Sequence, residues 1–269
     1  MVRYPVMYKN MVEEKVMELV KFRLAMKEDV TYSKAKSIWG KRVIEGLSPE
    51  VLKRLNRSRK GEVSQVVTEK ISIAQKNIEF LKVSDWVKFV GISGSVAAGF
   101  AKEDDDIDLY IVVKNHTAWI YRGILTIRNL FNHVMRTNWD KENVKDLFCI
   151  NFISEERGLE INNDIFNFHE LMYMIPIDQR SEKYLPYILS KNSWLKDTFY
   201  ISLPKVRYSL TFDVSFLIKG INLGAYISQL VFMFITGHKP ELRRISDNYR
   251  VGRIEFFPKD FKKRILDRV

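Results

Sequence analysis

Asp106 and Asp108 flank a single apolar residue, Ile107, at the head of an apolar run that ends at Val113. Alternate side chains of a strand share a face, so the two carboxylates point the same way while Ile107, Leu109 and Ile111 turn to the core. Two carboxylates held side by side on a strand suit Mg²⁺, a hard ion that keeps several waters and is shared with substrate phosphates. Upstream, Gly94 and Ser95 close a second apolar run, 87–92. Gly94 lets an anion approach the backbone, and Ser95 adds a hydroxyl where a short helix begins, with free N–H groups that favour a phosphate. A phosphate cradle and a metal site are thereby expected on neighbouring strands.

The elements that must position these groups follow from pattern. A helix over 62–81, with Val66, Val67, Ile71, Ala74 and Ile78 on one stripe, packs on the sheet and leads into the first strand. Before it, residues 1–82 read as helical; Ser48-Pro49-Glu50 is a helix start, and Arg54, Arg57, Arg59 and Lys60 form a basic cluster. A helix over 119–135 carries Arg122, Arg128, His133 and Arg136, with no acid between Lys114 and Asn138. Arg122 and Arg128 are the candidates to reach a phosphate oxygen from it. The next strand, 147–154, places Cys149, Asn151 and Ile153 on one face. An amide oxygen at Asn151 can ligate a metal but brings no charge and cannot act as a base. Glu160 lies on an expected hairpin partner, 159–161. His169 has Glu170 beside it and no partner at ligand spacing, which favours a packed or capping histidine.

The chain has 269 residues, 46% hydrophobic and 29% charged, the profile of an ordinary globular protein. One cysteine, Cys149, rules out an intrachain disulfide and fits a reducing, cytoplasmic compartment. The run 223–237 is too short to span a bilayer and carries Gln229, so a buried helix and no membrane partner are expected. A net charge of +11 favours polyanionic partners. Near the C-terminus, Arg243, Arg244, Arg250, Arg253, Lys259, Lys262, Lys263, Arg264 and Arg268 interleave with Tyr249, Phe256, Phe257 and Phe261. Such a mixture suits phosphate contact and base stacking, although aromatic anchoring of a terminal helix is the commoner use.

Gly94-Ser95, Ala97 and Gly99 followed by Asp106-Ile107-Asp108-Leu109 resemble the signature of the DNA polymerase beta superfamily of nucleotidyltransferases. Trp119 with Arg122, Cys149-Ile150-Asn151, Asn163-Asp164-Ile165-Phe166, His169-Glu170-Leu171, Asn192-Ser193-Trp194-Leu195 and Phe257-Pro258-Lys259-Asp260 extend the likeness. Together they resemble a group of prokaryotic nucleotidyltransferase-domain proteins from about residue 62 onward. The resemblance implies an α/β (α+β) nucleotidyltransferase fold: a mixed β-sheet flanked by helices, with helices before it and a helical region after it. It implies an N-terminal helical region at 1–82, the nucleotidyltransferase domain at 83–178 and a basic helical region at 179–269. Mg²⁺ or Mn²⁺ on Asp106 and Asp108 and a nucleoside triphosphate, with ATP expected, are implied as cofactor and substrate. The acceptor would be an RNA end, a protein hydroxyl or a small molecule. Many superfamily members carry a third carboxylate on the strand that here holds Asn151, and the resemblance leaves Asn151 or Glu160 as the candidates for that third metal ligand. The carboxylate's absence keeps open a second reading, a nucleotide- or RNA-binding protein without transfer.

Overall fold

A computed structural model describes residues 6–26, 28, 30–56, 64–136, 143–206, 214–235, 242–255 and 267. Six helices come first: α1 (Val6–Ala25), α2 (Tyr32–Trp39), α3 (Lys41–Glu45), α4 (Pro49–Asn56), α5 (Gln65–Lys76) and α6 (Ile78–Leu81). The central part runs β1 (Val87–Ile92), α7 (Gly94–Ala98), β2 (Ile107–Val113), α8 (Ala118–Asn132) and β3 (Phe148–Glu155). Then follow α9 (Ile165–Tyr173), β4 (Ile175–Pro176), α10 (Gln179–Ser190), α11 (Trp194–Asp197), α12 (Phe216–Ile235), α13 (Leu242–Val251) and β5 (Arg253–Glu255).

The five strands form one mixed sheet in the order β4-β1-β2-β3-β5. β2 and β3 are parallel, and β1–β2, β1–β4 and β3–β5 are antiparallel. Period-2 alternation sends Ile107, Leu109, Ile111 and Val113 to one face, with Trp119, Tyr121 and Leu125 of α8 above them. Tyr110 and Val112 turn to the other face and join a core that takes in α1 to α4, α9, α10 and α11. Asp108 lies in phase with Tyr110, so the carboxylate sits where that second core opens to solvent at the head of β2. Sequence and structure agree on a mixed sheet flanked by helices.

Local chemistry fixes the helix starts. Thr31, Ser64, Asp164 and Asp178 each accept a backbone N–H three residues on, which satisfies a donor no helix can pair internally. The Asn192-Ser193-Trp194 block has a packing role. Buried Asn192 accepts from Ile161 N and donates to Leu159 O, while Trp194 Nε1 donates to Ile161 O.

Three expectations change. The segment 159–161 is no strand: β3 ends in a single 3₁₀ turn, Glu156–Gly158, and the strand beside it is β5. The helix expected over 62–81 divides at Asn77, whose amide bonds back to Ile73 O, into α5 and α6. The apolar run at 223–237 belongs to the 20-residue helix α12, which is mostly exposed rather than buried. By length and composition α12 could cross a bilayer, which corrects the reading of the run as too short. Arg57, Arg59 and Lys60 lie outside the described residues, as do Phe256, Phe257, Lys259, Phe261, Lys262, Lys263, Arg264 and Arg268.

Candidate active site

The chain leaves β1 through Ser93 and enters α7 at Gly94, where φ is +63°. A side chain there would be strained by conformation alone. Space forbids one as well, because a Cβ on Gly94 would stand 2.3 Å from Asp108 Oδ2. The phosphate-sized turn and the carboxylate are therefore in direct contact, and only glycine permits it.

Asp106, Asp108 and Cys149 bring ligand atoms within 4.8 Å of one another. Parallel pairing of β2 and β3 sets Cys149 directly across from Asp108. Beyond that pair the register slips: Tyr110 faces Phe152, so β3 carries one extra residue at 150–151. The Asn151 side chain lies outside the described residues, and the position facing the carboxylates is held by a thiol. Burial, with Asp108 and Asp106 nearby, pushes the Cys149 thiol well above the ordinary cysteine range. The two carboxylates fit a hard divalent cation on their oxygens, while the neutral thiol beside them is no donor to it, since the thiolate and not the thiol is the ligand form.

The acidic loop before β2 is held by a side chain that periodicity did not flag. Lys70 of α5 is 1% exposed, and its Nζ donates to Glu103 O at 3.1 Å, Asp105 O at 2.7 Å and Asp146 Oδ1 at 2.7 Å. One ammonium thus ties both chain segments that approach the site. Asp105 does not face the cation position; its Oδ2 accepts from Ser95 Oγ at 3.1 Å and from Lys102 N at 2.9 Å. That bond orients the Ser95 hydroxyl at the foot of α7.

Among the described residues, the basic side chain bonded to the carboxylates is Arg136. Its Nη1 donates to Asp106 Oδ2 at 2.8 Å, and its backbone N–H to Phe148 O at 2.9 Å, one residue from Cys149. Arg122 and Arg128 lie elsewhere. β2 carries the chain about 16 Å from Asp108 to Val113 before α8 begins, so Arg122 starts at the far end of the sheet. Its Nε donates to Gln229 Oε1 of α12 at 2.6 Å, and burial lowers its pKa to about 10. Arg128 stacks over Phe80, 5.3 Å from the ring centroid. Glu160 is exposed, and its carbonyl accepts from Arg253. With about 20 Å of strand between Cys149 and Glu155, Glu160 is not among the ligands brought together.

One further carboxylate reaches the turn. Glu170 of α9 accepts the Gly94 N–H at 3.2 Å through Oε2, and its Oε1 lies 3.3 Å from His169 Nδ1. Arg23 of α1 meets His169 Nε2 at 3.2 Å. Arginine can only donate, so Nε2 accepts and the ring proton sits on Nδ1, facing Glu170. Burial holds the His169 pKa below its ordinary value, in keeping with a neutral ring stacked 4.4 Å from Tyr173. His169 is thus a packed residue, as its sequence context suggested, but one that orients a carboxylate against the anion turn.

A family model for the nucleotidyltransferase domain matches residues 72–197, which hold every element of this site except Arg23 and Lys70. No curated protein and no solved structure matches the chain. The matched stretch begins within α5 and ends with α11, taking in the Gly94-Ser95 turn, the Asp106/Asp108 pair and the β3 position opposite it. Over residues 72–197 the chain is similar to the nucleotidyltransferase domain, in agreement with its mixed sheet flanked by helices.

Proposed function

We propose that the chain is a metal-dependent nucleotidyltransferase that moves an NMP from a nucleoside triphosphate, ATP being the expected one, to a hydroxyl acceptor with release of pyrophosphate. The observation that carries this reading is the contact of Gly94 with Asp108, which puts an anion-sized turn against a carboxylate of the metal pair. Mg²⁺ or Mn²⁺ bound there would supply charge neutralisation and orientation of the phosphates. Asp106 and Asp108 hold the ion. The Gly94 N–H and the Ser95 hydroxyl hold the outer phosphates, with Glu170 giving up its bond to Gly94 as they arrive. Arg136 is 45% exposed at its side chain, free enough to turn from Asp106 to a phosphate oxygen and offset charge that builds in the displacement. Arg122 and Arg128, held by Gln229 and Phe80, would have to break those contacts first.

The basic charge of the chain favours a macromolecular acceptor, an RNA end or a protein hydroxyl, over a small molecule. A single cysteine fits work in the cytoplasm. The second reading, nucleotide binding without transfer, draws on Cys149. A neutral thiol at the third position brings no negative charge to a nucleophile-side ion.

Radiolabel at the α-phosphate of each NTP, incubated with the protein, Mg²⁺ and either total RNA or total protein, separates these readings. Label on RNA or protein supports transfer and names the acceptor class. Retention of unreacted NTP by the protein, with no label on any acceptor, would replace transfer with binding.

A further inference from the structure

Arg23 lies outside the matched stretch, near the end of α1, yet it is buried (4% exposed) beside the Gly94-Ser95 turn. A guanidinium in such a place is costly unless its donors are answered. Its Nη2 donates to Ala98 O, the last residue of α7, at 3.2 Å and lies 3.9 Å from Glu28 Oε2. Its Nη1 donates to His169 Nε2 at 3.2 Å, and its plane stands 4.7 Å from the centroid of the Tyr173 ring. Arg23 thereby reaches both ends of α7. It holds Ala98 directly, and it holds Gly94 through His169 and Glu170, whose Oε2 accepts the Gly94 N–H.

This chain of bonds has a direction. Arginine keeps its proton at every accessible pH and offers only donors, so Nε2 must keep its lone pair and the single ring proton sits on Nδ1, toward Glu170. A second proton on the ring would set donor against donor at Nε2 and one cation against another. The charges that bear on His169 are Glu170 on its own helix, Arg23 from α1 and Lys34 from α2; α7, which packs against α9, brings no titratable side chain. Burial, with two cations against one anion, holds the ring neutral. Take Arg23 away, and the Nε2 lone pair is open to a proton while the site loses a permanent positive charge.

We propose that Arg23 is a positioning residue of the nucleotide site: it fixes His169 in one tautomer, and through it sets Glu170 and the α7 turn for the incoming phosphates. The N-terminal helices are on this account a working part of the site, although the family likeness begins only at residue 72. The proposal rests on the reading of Gly94 and Ser95 as the phosphate-holding turn. It adds that the constant charge of Arg23 keeps this turn in one state across neutral pH, where a histidine alone would not.

Calorimetric binding of a non-hydrolysable NTP with Mg²⁺ to the full chain at pH 6 and pH 8 tests this, with three variants beside the wild type. Each is compared with the wild type at the same pH, which cancels the titration of the nucleotide itself. Arg23→Met is expected to bind roughly fivefold more weakly at pH 8 and to recover most of that loss at pH 6, where a protonated His169 replaces the missing charge. Arg23→Lys keeps a charge and a donor and should follow the wild-type pH dependence. Arg23→Met/His169→Gln should bind weakly at both pH values. A loss in Arg23→Met that is equal at both pH values would mean a merely structural arginine and overturn the proposal. Nitrogen NMR of the wild-type imidazole gives a readout that needs no variant of Arg23 to fold. Nδ1 protonated and Nε2 bare from pH 6 to 8 is the expected result, and a proton on Nε2 at pH 7 would overturn the proposal. A wild type that binds no nucleotide at either pH would overturn the reading of the turn, and this proposal with it; failure of the proposal alone shows as wild-type binding with a pH-independent loss in Arg23→Met.

Discussion

Lys70→Met tests how the acidic loop before β2 is held. Methionine keeps an unbranched apolar stem in the slot between α5 and the loop while removing the ammonium. The loss exposes three acceptors. Asp146 is 32% exposed at its side chain and can take water instead, so most of the effect comes from the carbonyls of Glu103 and Asp105. Each buried acceptor left without a donor costs about 1–3 kcal/mol, and the loop is partly hydrated, which places the sum near the low end, about 2–3 kcal/mol. Urea denaturation should show the midpoint falling with the slope unchanged. Glu69→Ala, one residue away and bonded through its side chain, among the described residues, to exposed Gln65, should stay within about 0.5 kcal/mol of wild type. Because the same ammonium positions the residues next to Asp106, Mn²⁺ affinity read by electron paramagnetic resonance should weaken as well. A Lys70→Met protein with wild-type midpoint and wild-type Mn²⁺ affinity would refute the reasoning.

Other expected outcomes follow from the same contacts. Gly94→Ala forces a Cβ to within 2.3 Å of Asp108 Oδ2 at a φ of +63°, so Asp108 must move; Mn²⁺ binding should fall by at least tenfold while the far-UV spectrum stays native. Glu170→Gln removes an anion from the Gly94 N–H, so equilibrium titration should show NTP binding about two- to tenfold tighter, and weaker binding would mean that Glu170 itself supports the ligand. His169 is kept neutral by burial, its folded pKa lying below the unfolded value near 6.5. The unfolded chain then binds the proton first, so stability present above about pH 6.5 should decline as pH falls through that value. His169→Gln should flatten that decline in denaturation midpoints taken across pH 5–8.

What could be read from the chain was what local pattern dictates. Alternation over 107–113 placed Asp108 opposite Ile107 and Leu109, and the apolar-turn-helix order around Gly94 matched β1, α7 and β2 closely. Long-range partners were not legible. Nothing in the helical stripe of α5 marks Lys70 as buried, because its acceptors are two backbone carbonyls and Asp146, far away in sequence. Arg136 was visible as one of several basic residues on and beyond α8. Choosing it over Arg122 required knowing that α8 starts at the far end of β2 and that the chain returns to the carboxylates only after the helix. Simple alternation along β3 aligned Asn151 with Cys149; the pairing gives β3 an extra residue at 150–151 and sets Cys149 opposite Asp108, while the Asn151 side chain lies outside the described residues. For α12 the error was physical: strong apolarity in a 20-residue helix was taken for burial, whereas Asn222 and Gln229, the polar exceptions, mark the side that is packed.

Pyrophosphate release from ATP, GTP, CTP and UTP, measured with Mg²⁺ or Mn²⁺ and cellular RNA or protein as acceptor, tests the central claim most directly. The comparison is the wild type against Asp106→Asn/Asp108→Asn. The proposed chemistry predicts release by the wild type with at least one nucleotide and loss of that release, by a factor of about 10² or more, in the double variant. Equal release by the two proteins, or none by the wild type with any nucleotide, metal and acceptor, would contradict it.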